Sequence, residues 1–393
     1  MDERITFNKT QTLDLSIVIV SFNVKDFLKN CLHSIYKHDQ QISFEVIVAD
    51  NNSVDGTKEM VREVFPQVNF IHNERNLGFS EANNQAVPEA SGKYILLLNP
   101  DTYVYENTLR EMVFFMDDHP EAGVAGCRNW LDENRTYQSS NLNYLSYRYI
   151  FSLSDNPVGK FCAGRKFLSK YWTESWDLWK TDKHREVRCV VGAFMILRRK
   201  TIQDVGLMDP GFYMFCEDND LCKRICDHGW KIYFNPKAEI VHYVGKSAGR
   251  EPVLCNNYAD QSLNYYVRKH YGRFGYIVYR SGLKAGRLLS KFSEKLENFS
   301  GISIFKDKSN SNFIFLSRQD SNLKWKKDER ADMYLVEISQ DKLFTQKVGI
   351  FTRDNFLKVP YDFLAPGRHY FWRVIPFKDG HYLHWGIEGK FSR

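Results

Sequence analysis

Long apolar runs are missing from this chain of 393 residues. None approaches the ~18 consecutive apolar positions that a membrane-crossing helix needs, so no spanning helix is expected. The stretch Met1 to Asp14 is polar and mixed in charge. It lacks the apolar centre of a secretory leader, so a cytoplasmic location is expected, at most peripheral at the inner face of the membrane. CxxC pairs are missing as well, and the eight cysteines are scattered. Cys222 and Cys226, with Cys216 nearby, have a spacing that zinc could use. No second ligand pair stands at a matching distance, which argues for reduced thiols instead. There is no internal repeat and no low-complexity segment.

Excess charge is missing from most of the chain. The formal net charge is +6, and Ser262 to Asn298 alone holds eight Lys/Arg against two Glu. The remainder is therefore neutral. No nucleic-acid partner is expected, and one basic segment with its own partner is.

The length predicts two or three domains. The first third alternates β-branched apolar runs with amphipathic stretches. Strands are predicted at Leu15–Val20, Phe44–Ala49, Val68–His72 and Lys93–Leu98, with helices at 24–38, 56–64 and 79–87 between them. This rhythm with short connections implies an α/β fold with a mostly parallel central sheet and helices on both faces. Ligands of such sheets sit outside the carboxyl ends of the strands. Here those ends run into Ser21-Phe22-Asn23, Asp50-Asn51-Asn52-Ser53 and Asn99-Pro100-Asp101-Thr102, three polar loops on one rim. Arg128 to Arg188 is irregular and rich in Tyr and Trp. Val187 to Arg198 reads as a strand, Leu221 to His228 as a helix, and Lys231–Asn235 and Glu239–Tyr243 as closing strands. Arg280, Lys284, Arg287, Lys291 and Lys295 then recur at helical spacing, with Leu288, Phe292 and Leu296 on another face, as in a basic amphipathic helix. The last stretch alternates in short strands, with turn signals at Pro366-Gly367 and Asp379-Gly380, and reads as a small β-sandwich.

Several residues could carry chemistry, and each has a plainer reading beside it. Asp101 follows a buried strand and Pro100 and could hold a divalent ion, or simply form a turn. Glu217, Asp218 and Asp220 open a predicted helix. They could cap it, or one could take a proton from a hydroxyl. His242 ends an apolar run and could be structural or a metal ligand. Asp50 could meet a base or ribose, or bond its own turn.

Taken in order, these segments resemble inverting family-2 glycosyltransferases of the GT-A fold, especially the rhamnosyltransferase-like branch. The matching stretches are Ser16–Asn23, Ile47–Thr57, Asn76–Asn84, Leu97–Asp101, Gly192–Ile196 and Phe215–Leu221, within roughly Asp14 to Ser247. The resemblance implies a nucleotide-sugar donor and Mg²⁺ or Mn²⁺. It casts Asp50 as the nucleobase contact and Asp101 as the surviving metal aspartate, with Asn99 replacing its partner and His242 completing the metal shell. It casts Asp218 as the catalytic base with Glu217 beside it. Ser21, Asn23, Asp55, Asn76, Asn83 and Asn99 would line the donor pocket. Phe22 stands where Tyr is commoner, and Glu81-Ala82-Asn83-Asn84 replaces a frequent Gly-Gly-Asn-Asn. The last ~90 residues loosely resemble a fibronectin type III-like module.

The expected organisation is a GT-A domain at 1–250, a basic helical segment at 251–300 and a sandwich at 301–393. The expected reaction moves a sugar, rhamnose at branch level, to a saccharide or lipid-linked saccharide in cell-surface polysaccharide synthesis, with the basic helix against a membrane. Two alternatives are a nucleotidyltransferase, which usually has a Gly-rich basic loop after strand one, and a non-catalytic carbohydrate-binding protein, which would not need Asp101, Asp218 and His242 together.

Overall fold

The computed structural model describes residues 6–37, 41–135, 174, 177–243, 252–300, 322–339, 347–358, 369–379, 381–383 and 387–392. The chain divides into two compact units, Met1–Tyr144 with Lys180–Tyr266, and Leu145–Trp179 with Val267–Arg393.

In the first unit the predicted rhythm is present. Strand β1 (Leu13–Ser21), helix α1 (Lys25–Tyr36), β2 (Phe44–Asp50), α2 (Thr57–Val64), β3 (Asn69–His72), α3 (Phe79–Ala86) and β4 (Gly92–Leu98) follow one another. β1 shows why they pack in layers. Its side chains alternate between faces, so Leu15, Ile17 and Ile19 join one buried cluster and Val18 and Val20 join another. The first cluster is covered by α1 through Leu28, Cys31, Leu32 and Ile35. The second is covered by α3 through Ala82 and Ala86. Each fully buried Ile or Leu in these clusters stabilises by about 2 kcal/mol relative to exposure.

Beyond β4 come β5 (Thr102–Val104), α4 (Thr108–Asp118), β6 (Ala122–Trp130), β7 (Arg185–Val187), β8 (Phe194–Arg198), α5 (Arg199–Val205), α6 (Glu217–Asp227) and β9 (Lys231–His242). The described strands form one nine-stranded sheet in the order β3-β2-β1-β4-β8-β6-β9-β5, with β7 on β9. The expectation of a mostly parallel sheet needs correction. β3, β2, β1 and β4 are parallel, and β6 is parallel to β9. β8 is antiparallel to both β4 and β6, and β5 and β7 are antiparallel to β9, which makes the sheet mixed. Three other expectations change. The strand expected over 187–198 is two, β7 and β8, with residues 188–193 between them. The two closing strands are one, because β9 absorbs its irregularity as a register shift opposite Cys127 and Arg128. The irregular stretch expected over Arg128 to Arg188 lies mostly outside the described residues.

Helix α7 (Pro252–Ser300) carries the expected basic segment and begins earlier than its charge pattern. Gly272, at φ 67°, breaks its geometry midway. The boundary between the two units falls inside it, after Tyr266. The side chains of Arg287, Leu288, Lys291, Phe292, Lys295 and Leu296 lie outside the described residues.

In the second unit, β11 (Met333–Ser339), β12 (Lys347–Thr352), β14 (His369–Lys378), β15 (His381–Tyr382) and β16 (Ile387–Ser392) form a five-stranded antiparallel sheet. β10 (Asn322–Lys324) and β13 (Phe356–Lys358) form a two-stranded one. Trp325, just after β10, meets Tyr334 of β11 edge-on at 5.4 Å. Asp379, at φ 49°, sits in the tight turn joining β14 to β15, as its turn signal predicts. Pro366-Gly367 lies outside the described residues.

Candidate active site

The carboxyl ends of β1, β2 and β4 share one rim, because the strands are parallel and Ser21 stands opposite Asp50 in register. Asp50 is fully buried. Its Oδ2 accepts from the Ser53 amide at 3.0 Å and from His72 Nδ1 at 3.1 Å. Its Oδ1 is buried without a hydrogen-bond partner, as is Ser21 Oγ. A buried carboxylate oxygen left unbonded is costly, and a donor N–H arriving with a ligand would offset that cost.

The other expected donor-pocket residues are largely engaged in building the rim. Asn23, at φ 53°, accepts the Val54 amide at 2.8 Å and donates its own amide to Ser53 Oγ, tying the loop after β1 to the loop after β2. Asp55 accepts the Lys25 amide at 2.8 Å and Thr57 Oγ1 at 2.6 Å, so one carboxylate caps both α1 and α2. Burial pushes that carboxyl up, but the bonds from Thr57 and Lys25 outweigh it and hold it below its usual range. Asn76 accepts the Gly78 amide at 2.9 Å, and Asn83 donates back to the Phe79 carbonyl at 2.9 Å.

After β4 the chain turns sharply. Asp101 is fully buried, and its Oδ1 lies 3.5 Å from His242 Nε2. The two meet because β5 and β9 pair with Thr102 opposite His242. Asn99 Nδ2 lies 3.3 Å from the same imidazole nitrogen. Sequence order alone separates these residues by more than a hundred positions, and the sheet brings them together. Among the described residues, no group of three His, Cys, Asp or Glu side chains is placed to hold a metal ion. Asp101 and His242 make a two-donor set. Such a set suits a hard divalent ion that takes its remaining ligands from phosphate oxygens and water.

The acidic turn is reached through strained backbone. Phe215 and Cys216 are consecutive non-glycine residues at φ 73° and 65° immediately before α6. Left-handed residues of this kind cost energy and persist only where surroundings enforce them. Two contacts hold the residues just before them: Ser262 of α7 donates to the Met214 carbonyl at 2.7 Å, and Tyr258 packs on Tyr213 with ring centroids 4.6 Å apart.

The three acids then separate in role. Asp220 is buried and bonds Arg224 one turn on at 2.8 Å, and Arg224 also donates to the carbonyls of Val205 and Leu207. Asp218 is half-buried. Its Oδ2 accepts the Gly192 amide at 3.1 Å and its Oδ1 the Asn219 amide at 2.7 Å. Burial pushes its carboxyl above the usual range against the pull of these bonds. Glu217 is buried with Oε2 unbonded, and burial and the Asp218 charge push it up to about 8. Burial and the neighbouring Asp218 charge thus both favour the protonated form of Glu217.

Hydrogen bonds join these pieces into one rim. Gly192 bonds Asp218, and the neighbouring Ala193 carbonyl accepts the Asn99 amide at 3.0 Å. On the other side the Tyr213 carbonyl accepts the Phe79 amide at 2.8 Å, and Asn51 bonds the Gly78 carbonyl at 3.0 Å. Gly78, at φ 83°, is required here, since a Cβ would lie 2.6 Å from the Tyr213 ring. His72, Tyr213 and Ser262 were not legible as site residues. Only His72 carried a signal, as a polar residue closing a predicted strand of the same parallel set.

Residues 16–176 match the family Glycosyl transferase family 2. The N-acetylglucosaminyl-diphospho-decaprenol L-rhamnosyltransferase of Mycobacterium tuberculosis (strain CDC 1551 / Oshkosh) is 25% identical over 61% of this chain and 78% of its own length. Rhamnosyltransferase WbbL of Escherichia coli (strain K12) is 27% identical over 58% of this chain and 82% of its own. Among solved structures, the mannosyltransferase PcManGT from Pyrobaculum calidifontis, in complex with GDP-Man and Mn2+, is similar at TM-score 0.45 and 16% identity over 76% of this chain and 84% of that one.

Proposed function

We propose, from the premise that this chain is a glycosyltransferase carrying a family 2 domain, that it transfers a sugar with inversion from a nucleotide-sugar donor to a saccharide or lipid-linked saccharide acceptor. The reading is supported above all by the hydrogen-bonded link Asp218–Gly192–Ala193–Asn99, which puts a raised carboxylate and the Asp101–His242 pair on one rim.

In this reading Asp218 takes the proton of the acceptor hydroxyl as its oxygen attacks the anomeric carbon, and the nucleoside diphosphate leaves from the opposite face. The Gly192 and Asn219 amides aim the carboxylate, and Glu217 stands beside it with its protonated form favoured. Asp50, oriented by His72 and Ser53, offers Oδ1 to the donor's base or ribose. Asp101 and His242 would hold Mg²⁺ or Mn²⁺, which would neutralise the departing diphosphate. Rhamnose is the sugar supported by the names of the two relatives, and cell-surface polysaccharide synthesis is the setting proposed with it. A lipid-linked acceptor would place the reaction at a membrane surface, where the basic half of α7 would meet anionic lipid. The C-terminal sheets, joined through Trp325 and Tyr334, are read as a fibronectin type III-like sandwich with a binding or spacing role.

The test is a panel of nucleotide sugars assayed for hydrolysis and transfer, with and without Mn²⁺ and after chelation. Turnover that survives both Asp101→Ala and Asp218→Ala would sink this mechanism. Turnover indifferent to chelation would remove the metal alone.

A further inference from the structure

The second half of α7 carries an apolar pair facing outward. Phe274 is 79% exposed and Ile277 60% exposed, three positions apart and so on one side of the helix. Arg273, Ser281 and Lys284 are exposed on the same side, while Gly275 and Tyr279 are buried on the other. Arg268, also exposed, lies over the Tyr276 ring at 4.2 Å. No acidic residue stands between Asp260 and Glu294, an interval that holds seven Lys/Arg.

We infer that this face docks on an anionic lipid surface, with Phe274 and Ile277 entering the acyl boundary and Arg268, Arg273 and Lys284 at the headgroups. Apolar side chains framed by cations are what an interfacial helix needs. The same face suits other partners less well. A second copy in a two-fold contact would oppose like charges. Contacts to a nucleic-acid backbone use the cations and leave Ile277 without a role. The docking rests on the lipid-linked acceptor reading only for its purpose. Vesicle binding is measured without donor or acceptor, so the two can fail separately.

The experiment is flotation of the full chain with vesicles of phosphatidylglycerol and phosphatidylcholine in equal parts, against phosphatidylcholine alone. The chain is expected to float with the first and not the second, and to be released by salt. Phe274→Ser with Ile277→Ser is expected to weaken partitioning about tenfold or more, with the melting temperature unchanged. Hydrogen exchange on the unmodified chain is an independent reading, with protection gained over residues 273–284 only when anionic vesicles are present. Three results would overturn the docking: no flotation of the unmodified chain with anionic vesicles, a folded double variant that floats as well as the parent, or binding to an RNA duplex with no gain of protection on vesicles.

Discussion

The backbone amide of Gly192 donates to Asp218 Oδ2 over 3.1 Å, so the loop before β8 aims the carboxylate that opens α6. The same loop bonds Asn99 through the Ala193 carbonyl. One short segment therefore sets Asp218 relative to the residues after β4.

Asp218→Asn keeps an oxygen for the Gly192 amide and removes the proposed proton acceptor. It is expected to lower kcat by about 10²- to 10⁴-fold with little change in the donor KM or the melting temperature. Because burial raises the Asp218 carboxyl, the acid limb of the parent's pH–rate profile should lie above the ordinary carboxylate range. Steady-state kinetics across pH on parent and variant check both. An acid limb unchanged in residual Asp218→Asn activity would assign the titration to another group.

Glu217 gives a stability prediction of definite sign. Its folded value, about 8, lies above the ordinary carboxylate value of 4.5. The folded state therefore holds a proton that the unfolded chain releases. The associated stability is fully present below about pH 4.5 and is lost as pH rises toward 8. Glu217→Gln removes the ionisation and is expected to flatten stability over that window, with a gain of roughly 2–5 kcal/mol near pH 8 relative to the parent's trend. Chemical denaturation at a series of pH values measures it. A variant with the parent's pH slope would mean that Glu217 does not carry the effect.

Much of this site was legible because its residues end predicted strands. Asp50, Asn99 and Asp101 each follow an apolar run, and parallel strands put such ends on one rim. The Asp101–His242 contact was expected from reading both as possible metal ligands and from a family resemblance, and β5–β9 pairing supplies its physical cause. Other parts had no local signature. The antiparallel insertion of β8 between β4 and β6 depends on long-range pairing that periodicity does not encode. Ser262 acts on Met214 across 48 positions, and its sequence neighbourhood says only that it is helical. Asp55 was expected at the donor pocket, and its carboxylate proves to be bonded to two helix starts.

Ser262→Ala should loosen the turn that holds Phe215 and Cys216 at positive φ. Loss of one buried hydrogen bond is expected to cost about 1–2 kcal/mol and to lower kcat more than it raises the donor KM. Ser262→Thr, which retains the hydroxyl, should recover most of the turnover. Equal losses for Ala and Thr would point to packing rather than the bond to the Met214 carbonyl.

Asp55→Ala removes the shared cap of α1 and α2, since neither N-cap residue, Val24 or Gly56, bonds its own helix through a side chain. Two helix starts lose their acceptor together, so the expected loss is roughly 1–3 kcal/mol, above that of a single cap. The pH dependence has the opposite sign to that of Glu217. The folded Asp55 carboxyl sits below its ordinary value of 3.8, so its contribution is present above that value and is lost as pH falls through the folded one. Parent and variant should therefore differ in melting temperature at pH 7 and converge in acid. Asp55→Asn, which keeps one acceptor oxygen, should fall between them. A difference that persists undiminished at pH 2 would show that the carboxylate's charge is not what caps the two helices.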